Sequence, residues 1–358
     1  FAVGSYGYAL AIDYTQGACN YYGPYGGCYG YDPGTYTLVG GVTELNNEEG
    51  GLISGYASAD AGVADAYGSV VIAAYGATTT NAGSIVAYAS AEGGLANAVG
   101  SVTNSFYGLP ELHNSGIIYA GAYGEVATAV GASVIGTYEV IVDNAEGGEI
   151  IAAAYGPDAA AIAVSMLSYG YNSLTNSGSI TALGDGARVA VYSSAYAVAT
   201  LVNHGSITGS IQTGDYNDYL YNDGTWNAIQ ASYFGAGDDF IYNEVGGNIH
   251  MTDAAIYLGT YSEYGNGFWN LGTVTVSGDN LIDMGSGPDY VEDLIPSLNP
   301  LPFTNYGTID FQDGHPDDTL TIVGDFAGDG DIDVDVSALH ETSDLLYIDG
   351  SVVDGTST

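Results

Sequence analysis

The sequence predicts an all-β chain wound as a right-handed parallel β-helix, a solenoid of roughly ten to twelve coils with a disulfide-pinned N-terminal cap. Three observations predict it. An Asn-x-Gly-x-Ile/Val motif recurs along most of the chain, stretches of alternating small and β-branched residues separate its copies, and glycine interrupts the alanine-rich tracts every few residues. Alanine favours helix, yet tracts such as 152–163 carry no convincing caps and are mixed with Val and Tyr, so strands are the expectation there.

Three zones follow in chain order. Residues 1–46 form a Tyr/Gly-rich segment with nine tyrosines in the first 36 positions. A solenoid has to cap its open ends, so this zone is expected to be a cap or a subunit contact. Cys19 and Cys28 flank its loop; a disulfide is expected in an oxidising compartment, with two free thiols as the alternative. The first residue is Phe1 and not Met, which suggests a removed secretory signal and an extracellular or cell-surface location.

Residues 47–309 are the repeat body. The motif appears as Asn81-Ala-Gly-Ser-Ile, Asn114-Ser-Gly-Ile-Ile, Asn176-Ser-Gly-Ser-Ile, Asn203-His-Gly-Ser-Ile, Asn270-Leu-Gly-Thr-Val and Asn305-Tyr-Gly-Thr-Ile, with an aromatic variant at Asn222-Asp-Gly-Thr-Trp. A longer form, Asn-x-x-Gly-Gly-x-Ile, begins at Asn47, Asn144 and Asn243. Glycine is expected to supply positive φ at a tight corner, and asparagine tolerates that region and bonds its own backbone. The Ile or Val that follows starts a strand and points inward. The shortest intervals, 19 and 21 residues, suit one coil of about three short strands. Stacked coils then place equivalent asparagines about 4.8 Å apart, each side-chain amide bonding the next.

Residues 310–358 are acidic, with 13 carboxylates, and are expected to close the solenoid. In the run 331–336, Asp331, Asp333 and Asp335 alternate with Ile332, Val334 and Val336; on one strand the three carboxylates would share a face.

Charge excludes whole classes of function. The chain has 42 acidic residues against one basic residue, Arg188, for a net charge of −41. Nucleic acid and anionic membrane surfaces need Lys and Arg clusters, and a phosphate loop or a Schiff base needs a lysine. No apolar run reaches the roughly 20 residues of a membrane span. The longest candidate, 150–167, is broken by Gly156, Pro157 and Asp158.

Leu320-Thr-Ile-Val-Gly-Asp-Phe-Ala-Gly-Asp-Gly, followed by Ser343-Asp-Leu-Leu-Tyr-Ile-Asp-Gly, resembles the segment that closes the passenger β-helix of bacterial autotransporters. The Asn-x-Gly-x-Ile repeats resemble the body of such passengers, and the likeness covers most of 47–358. It implies a surface-displayed β-helix. The family's membrane β-barrel does not occur within these 358 residues, so the resemblance implies a cleaved barrel or another route to the surface.

Calcium is the expected cofactor, because hard cations prefer carboxylate and carbonyl oxygens. Gly235-Ala-Gly-Asp-Asp-Phe-Ile-Tyr resembles one arm of the calcium-binding repeats of parallel β-rolls, which points to Asp238 and Asp239, and a weaker copy contains Asp289. Asp331, Asp333 and Asp335 are further candidates. The loop at 325–336 fails as an EF-hand, with Ala327 and Val336 where oxygen ligands are needed. No catalytic site is expected: no Gly-x-Ser-x-Gly elbow occurs, and five histidines are scattered without metal-ligand spacing.

The functional expectation is a secreted structural protein stacking head to tail into a cation-dependent extracellular filament or surface layer. The alternative is a monomeric cell-surface adhesin, with neutral surface glycans as possible partners of tyrosine-rich faces. A polysaccharide-cleaving enzyme is the remote third reading.

Overall fold

The computed structural model describes residues 2–3, 42–60, 62–260, 265–285 and 301–353. Among these no helix occurs. Two parallel sheets, of 19 and 11 strands, take in all but one short antiparallel pair, Val336–Ser337 with Thr342–Ser343. The arrangement is consistent with a solenoid. Most of 1–46, including Cys19 and Cys28, lies outside the described residues, as does Asp289.

One level illustrates the whole. After Asn144 the chain forms strands Glu149–Tyr155 and Asp158–Leu167 in the larger sheet, then Tyr171–Asn176 in the smaller. Tyr171–Asn176 pairs residue for residue with Glu139–Asn144 on one side and Val198–Asn203 on the other. In two levels the corner inside the larger sheet is carried through as one bent strand, Ser84–Ser105 and Ile117–Ile135. The alanine-rich tract is strand because alternate residues are buried there, a period that a helix cannot supply.

The hydrophobic residue that closes each motif forms the spine of the core. Ile85, Ile118, Ile150, Ile180, Ile207, Trp226, Ile249, Val274 and Ile309 are all buried and follow one another in register. Alanine columns fill the first half, for example Ala98, Ala129 and Ala161, whereas Trp226, Phe234, Phe268, Phe303 and Phe311 fill the second. Both solutions bury apolar surface continuously along the axis, which single levels cannot do alone.

The motif glycine acts differently from the expectation. Positive φ occurs only in the longer form, at Gly50, Gly147 and Gly246. In the short form the constraint is the neighbouring backbone: a Cβ on Gly205 would lie 2.1 Å from the Gly178 carbonyl oxygen, and one on Gly224 would lie 2.2 Å from that of Gly205. Glycine is required because successive corners touch.

The acidic segment continues both sheets. Asp331–Asp333 pairs with Thr308–Asp310, Leu345–Asp349 with Thr319–Val323, and Phe326–Ala327 with Phe303–Asn305. The alternation read across 331–336 does not hold. The strand stops at Asp333, Ile332 packs against the core, and Val334 and Val336 are exposed. Beyond Asp333 the chain turns into the antiparallel pair, where the Asp335 carboxylate accepts the Gly314 N–H. The three aspartates therefore share no single face.

Candidate functional site

The asparagines of the motif occupy one buried column. Asn47, Asn81, Asn114, Asn144, Asn176, Asn203, Asn222, Asn243, Asn270 and Asn305 are linked by nine bonds of 2.7–2.8 Å, each Nδ2 donating to the next Oδ1. The remaining N–H of each amide reaches corner carbonyls; Asn144 Nδ2, for instance, meets Gly148 O and Ser179 O at 3.2 Å. A primary amide, with donor and acceptor at opposite ends, can be stacked without limit. The column gives every level the same polarity and is structural.

Asp238 and Asp239 are both buried. Their carboxylates are turned towards backbone amides: Asp238 Oδ1 accepts the Gly265 N–H at 3.2 Å, and Asp239 Oδ1 accepts the Asp218 N–H at 2.8 Å. Among the described residues no three His, Cys, Asp or Glu side chains converge on a metal position. What does emerge is a second polar column. Asp218 Oδ1 accepts the Ala199 N–H at 2.6 Å, and Asn266 Oδ1 accepts the Asp239 N–H at 2.9 Å. Asp318 and Asp344 repeat the device near the C-terminal end, receiving Gly278 N–H and Asp318 N–H.

These acids close levels by satisfying an amide one level away, just before a strand begins. Burial raises the Asp218 carboxyl to about 7, against the opposing effect of its hydrogen bonds. Burial likewise pushes Asp239 up to about 9, with the Asp218 amide pulling the other way. Sequence reading missed this column, although Asp218-Tyr-Leu-Tyr-Asn222, Asp239-Phe-Ile-Tyr-Asn243 and Asn266-Gly-Phe-Trp-Asn270 all place an Asx four residues before the corner asparagine.

Aromatic side chains also stack. Tyr221–Tyr242 and Tyr242–Trp269 have ring centroids 5.1 and 4.8 Å apart with planes within 13°, and Tyr56–Tyr88 lies at 5.2 Å and 5°. Such tight stacks cover each other's π faces. Three histidines pair with acids across or within levels: His204 Nδ1 lies 2.7 Å from Asp223 Oδ1, His113 sits 3.7 Å from Asp143 and 3.8 Å from Glu111, and His315 Nδ1 lies 3.3 Å from Asp313 Oδ1. Ser337 Oγ and His340 Nδ1 are 3.0 Å apart in an exposed cleft, but the same Oγ accepts the His340 N–H, so the pair closes a local turn.

No family model, curated protein or solved structure matches this chain. The most distinctive feature is the C-terminal end. Leu345–Asp349 pairs in the large sheet with Thr319–Val323 alone, leaving its other edge without a strand partner among the described residues. Val336, Leu339, Leu345, Tyr347 and Val352 are exposed around it.

Proposed function

We propose that this chain is a right-handed parallel β-helix of ten to twelve coils that serves as a secreted structural protomer, joining end to end into an extracellular filament or surface layer. Right-handedness rests on the hand that parallel crossover connections almost always take. Ten asparagine levels and the strands beyond Asn305 support the coil number. The observation that carries the assembly reading is the strand Leu345–Asp349, whose second edge has no strand partner among the described residues and which has exposed apolar side chains around it. An open strand edge is a template for another chain, and a contact between unlike ends does not close on itself but propagates.

Glu44 lies on Val42–Asn47, an edge strand of the smaller sheet among the described residues, with Glu48 and Glu49 just after it, and residues 310–358 hold 13 carboxylates. Cations, calcium foremost, are proposed to bridge or screen them. Electron microscopy of the purified chain with calcium and then with chelator tests the proposal. Filaments that shorten on chelation are expected; dispersed particles in both conditions would sink it. A monomeric adhesin is the second reading, favoured by an exposed tyrosine corner along the flank.

A further inference from the structure

Six tyrosines, Tyr75, Tyr107, Tyr138, Tyr169, Tyr196 and Tyr216, lie at the corner that leads from the larger sheet into the smaller, one in each of six successive levels. The corner is continuous. Tyr107 N–H donates to Ala74 O, Thr137 Oγ1 to Phe106 O, Tyr169 N–H to Thr137 O and Asp215 N–H to Ala195 O, while Tyr169 stacks on Tyr196. Each of the six side chains is 50–72 % exposed. Five steps at the strand spacing make a ridge of about 24 Å. It ends at Tyr216, beneath which the chain continues as Gly235-Ala-Gly.

The two ring pairs in contact along the ridge are looser than the Tyr221–Tyr242 and Tyr242–Trp269 stacks. Tyr75–Tyr107 and Tyr169–Tyr196 both have centroids 5.8 Å apart, with planes inclined by 37° and 27°. That separation exceeds the roughly 4.8 Å between levels, so the rings lean and leave part of a face and the hydroxyl open. The closed stack at Tyr221, Tyr242 and Trp269 offers no such surface. A row of exposed aromatic side chains, one per level over six levels, calls for a partner. The partner's charge is constrained as well. The twelve chain neighbours of the six tyrosines include two carboxylates, Glu139 and Asp215, and no cation. Arg188 is the molecule's one strong base, so an anionic ligand has nothing to hold it, and a second copy brings the same negative excess.

We infer that this ridge binds an extended chain of an uncharged polysaccharide, one sugar unit per level. The level spacing is close to the length of one pyranose in an extended β-1,4-linked chain. Leaning rings present C–H-accepting faces to successive sugars, and the phenolic hydroxyls meet sugar hydroxyls. Tyrosine holds such a surface at small entropic cost. Each sugar adds a weak contact, so affinity grows with chain length until about six units are engaged. The inference is independent of end-to-end assembly, since the ridge runs along the flank.

Calorimetry on the full chain with β-1,4-linked glucose and N-acetylglucosamine oligomers tests it, with oligogalacturonate as the anionic comparison. The hexamer of one neutral series is expected to bind at least about tenfold more tightly than its dimer, and oligogalacturonate is expected not to bind. The triple variant Tyr107→Ser, Tyr138→Ser, Tyr169→Ser should lose binding while keeping its cooperative melt. Tyr221→Ser with Tyr242→Ser should retain it. If the triple variant does not fold, the single variant Tyr138→Ser should weaken hexamer binding severalfold, and Tyr138→Phe should restore most of it. Absence of binding to both neutral series, equal affinity for dimer and hexamer, or unaltered binding by the tyrosine variants overturns the inference. So does lateral self-association that the triple variant abolishes, which would give the ridge to a second copy.

Discussion

Asn176 receives the Asn144 amide on its Oδ1 and donates from its Nδ2 to Asn203, with all three side chains buried. Truncation at Asn176→Ala removes both bonds and strands a donor on one side and an acceptor on the other. Unsatisfied buried groups cost about 1–3 kcal/mol each, so chemical denaturation should show a loss of about 2–6 kcal/mol. Gly205→Ala should also destabilise, by about 1–3 kcal/mol, through its clash with Gly178 O. A drop no larger than that of an exposed-loop alanine would count against the close-approach explanation. The buried aspartates set a pH dependence of definite sign. An unfolded aspartate titrates at about 3.9, whereas Asp218 and Asp239 are raised to about 7 and about 9. The folded chain keeps protons that the unfolded chain has already released, so this contribution is complete below about pH 4 and is lost as pH rises through 7 towards 9. Asp239→Asn keeps the acceptor for the Asp218 N–H and mimics Asn266 in the following level. It should flatten the fall in urea midpoint between pH 5 and pH 9 and raise stability at the upper end.

At the level of strands, the same rules explain what each repeat carries and where a misreading arose. Alternation predicts a strand wherever one face is buried, as in Glu139–Asn144 and Tyr171–Asn176, whose alternate residues are buried. The run 331–336 alternates equally well, but beyond Asp333 the chain leaves the sheet for the antiparallel pair, and Val334 and Val336 are exposed. Local pattern does not reveal where the chain leaves the sheet. The hairpin that follows bears Leu339, 85 % exposed, and Val336, 72 % exposed. Val336→Glu with Leu339→Glu should shorten or abolish filaments seen by electron microscopy, by the edge-charge device that natural sheets use. The thermal transition of the isolated protomer should move little, because neither side chain is buried. Unchanged filaments would place the contact elsewhere.

Across the whole molecule, charge sets the terms of the proposed assembly. With a net charge of −41, copies repel until salt or divalent ions shorten the screening length, which is about 10 Å at 0.1 M and about 3 Å at 1 M. End-to-end association measured by light scattering should therefore strengthen with sodium chloride and do so at far lower concentration with calcium. Weakening with salt would mean that attraction between unlike charges drives assembly, for which the single Arg188 leaves little provision.

The sequence by itself determined the all-β class, the recurrent corner, the inward isoleucine of each motif and the large negative charge. These are local or compositional properties: periodicity two, repeated Asn–Gly, and a count of charges. Tertiary structure alone decided why the motif glycines are glycine, where the buried aspartates find their amides, where alternation stops having a core to face, and that six separate tyrosines form one ridge. Each tyrosine stands six or seven residues before a corner asparagine, yet the spacing becomes a surface only once corners of unequal length are brought level. Those features depend on contacts between residues some 20 to 35 positions apart, and such contacts exist only after the chain has returned over itself.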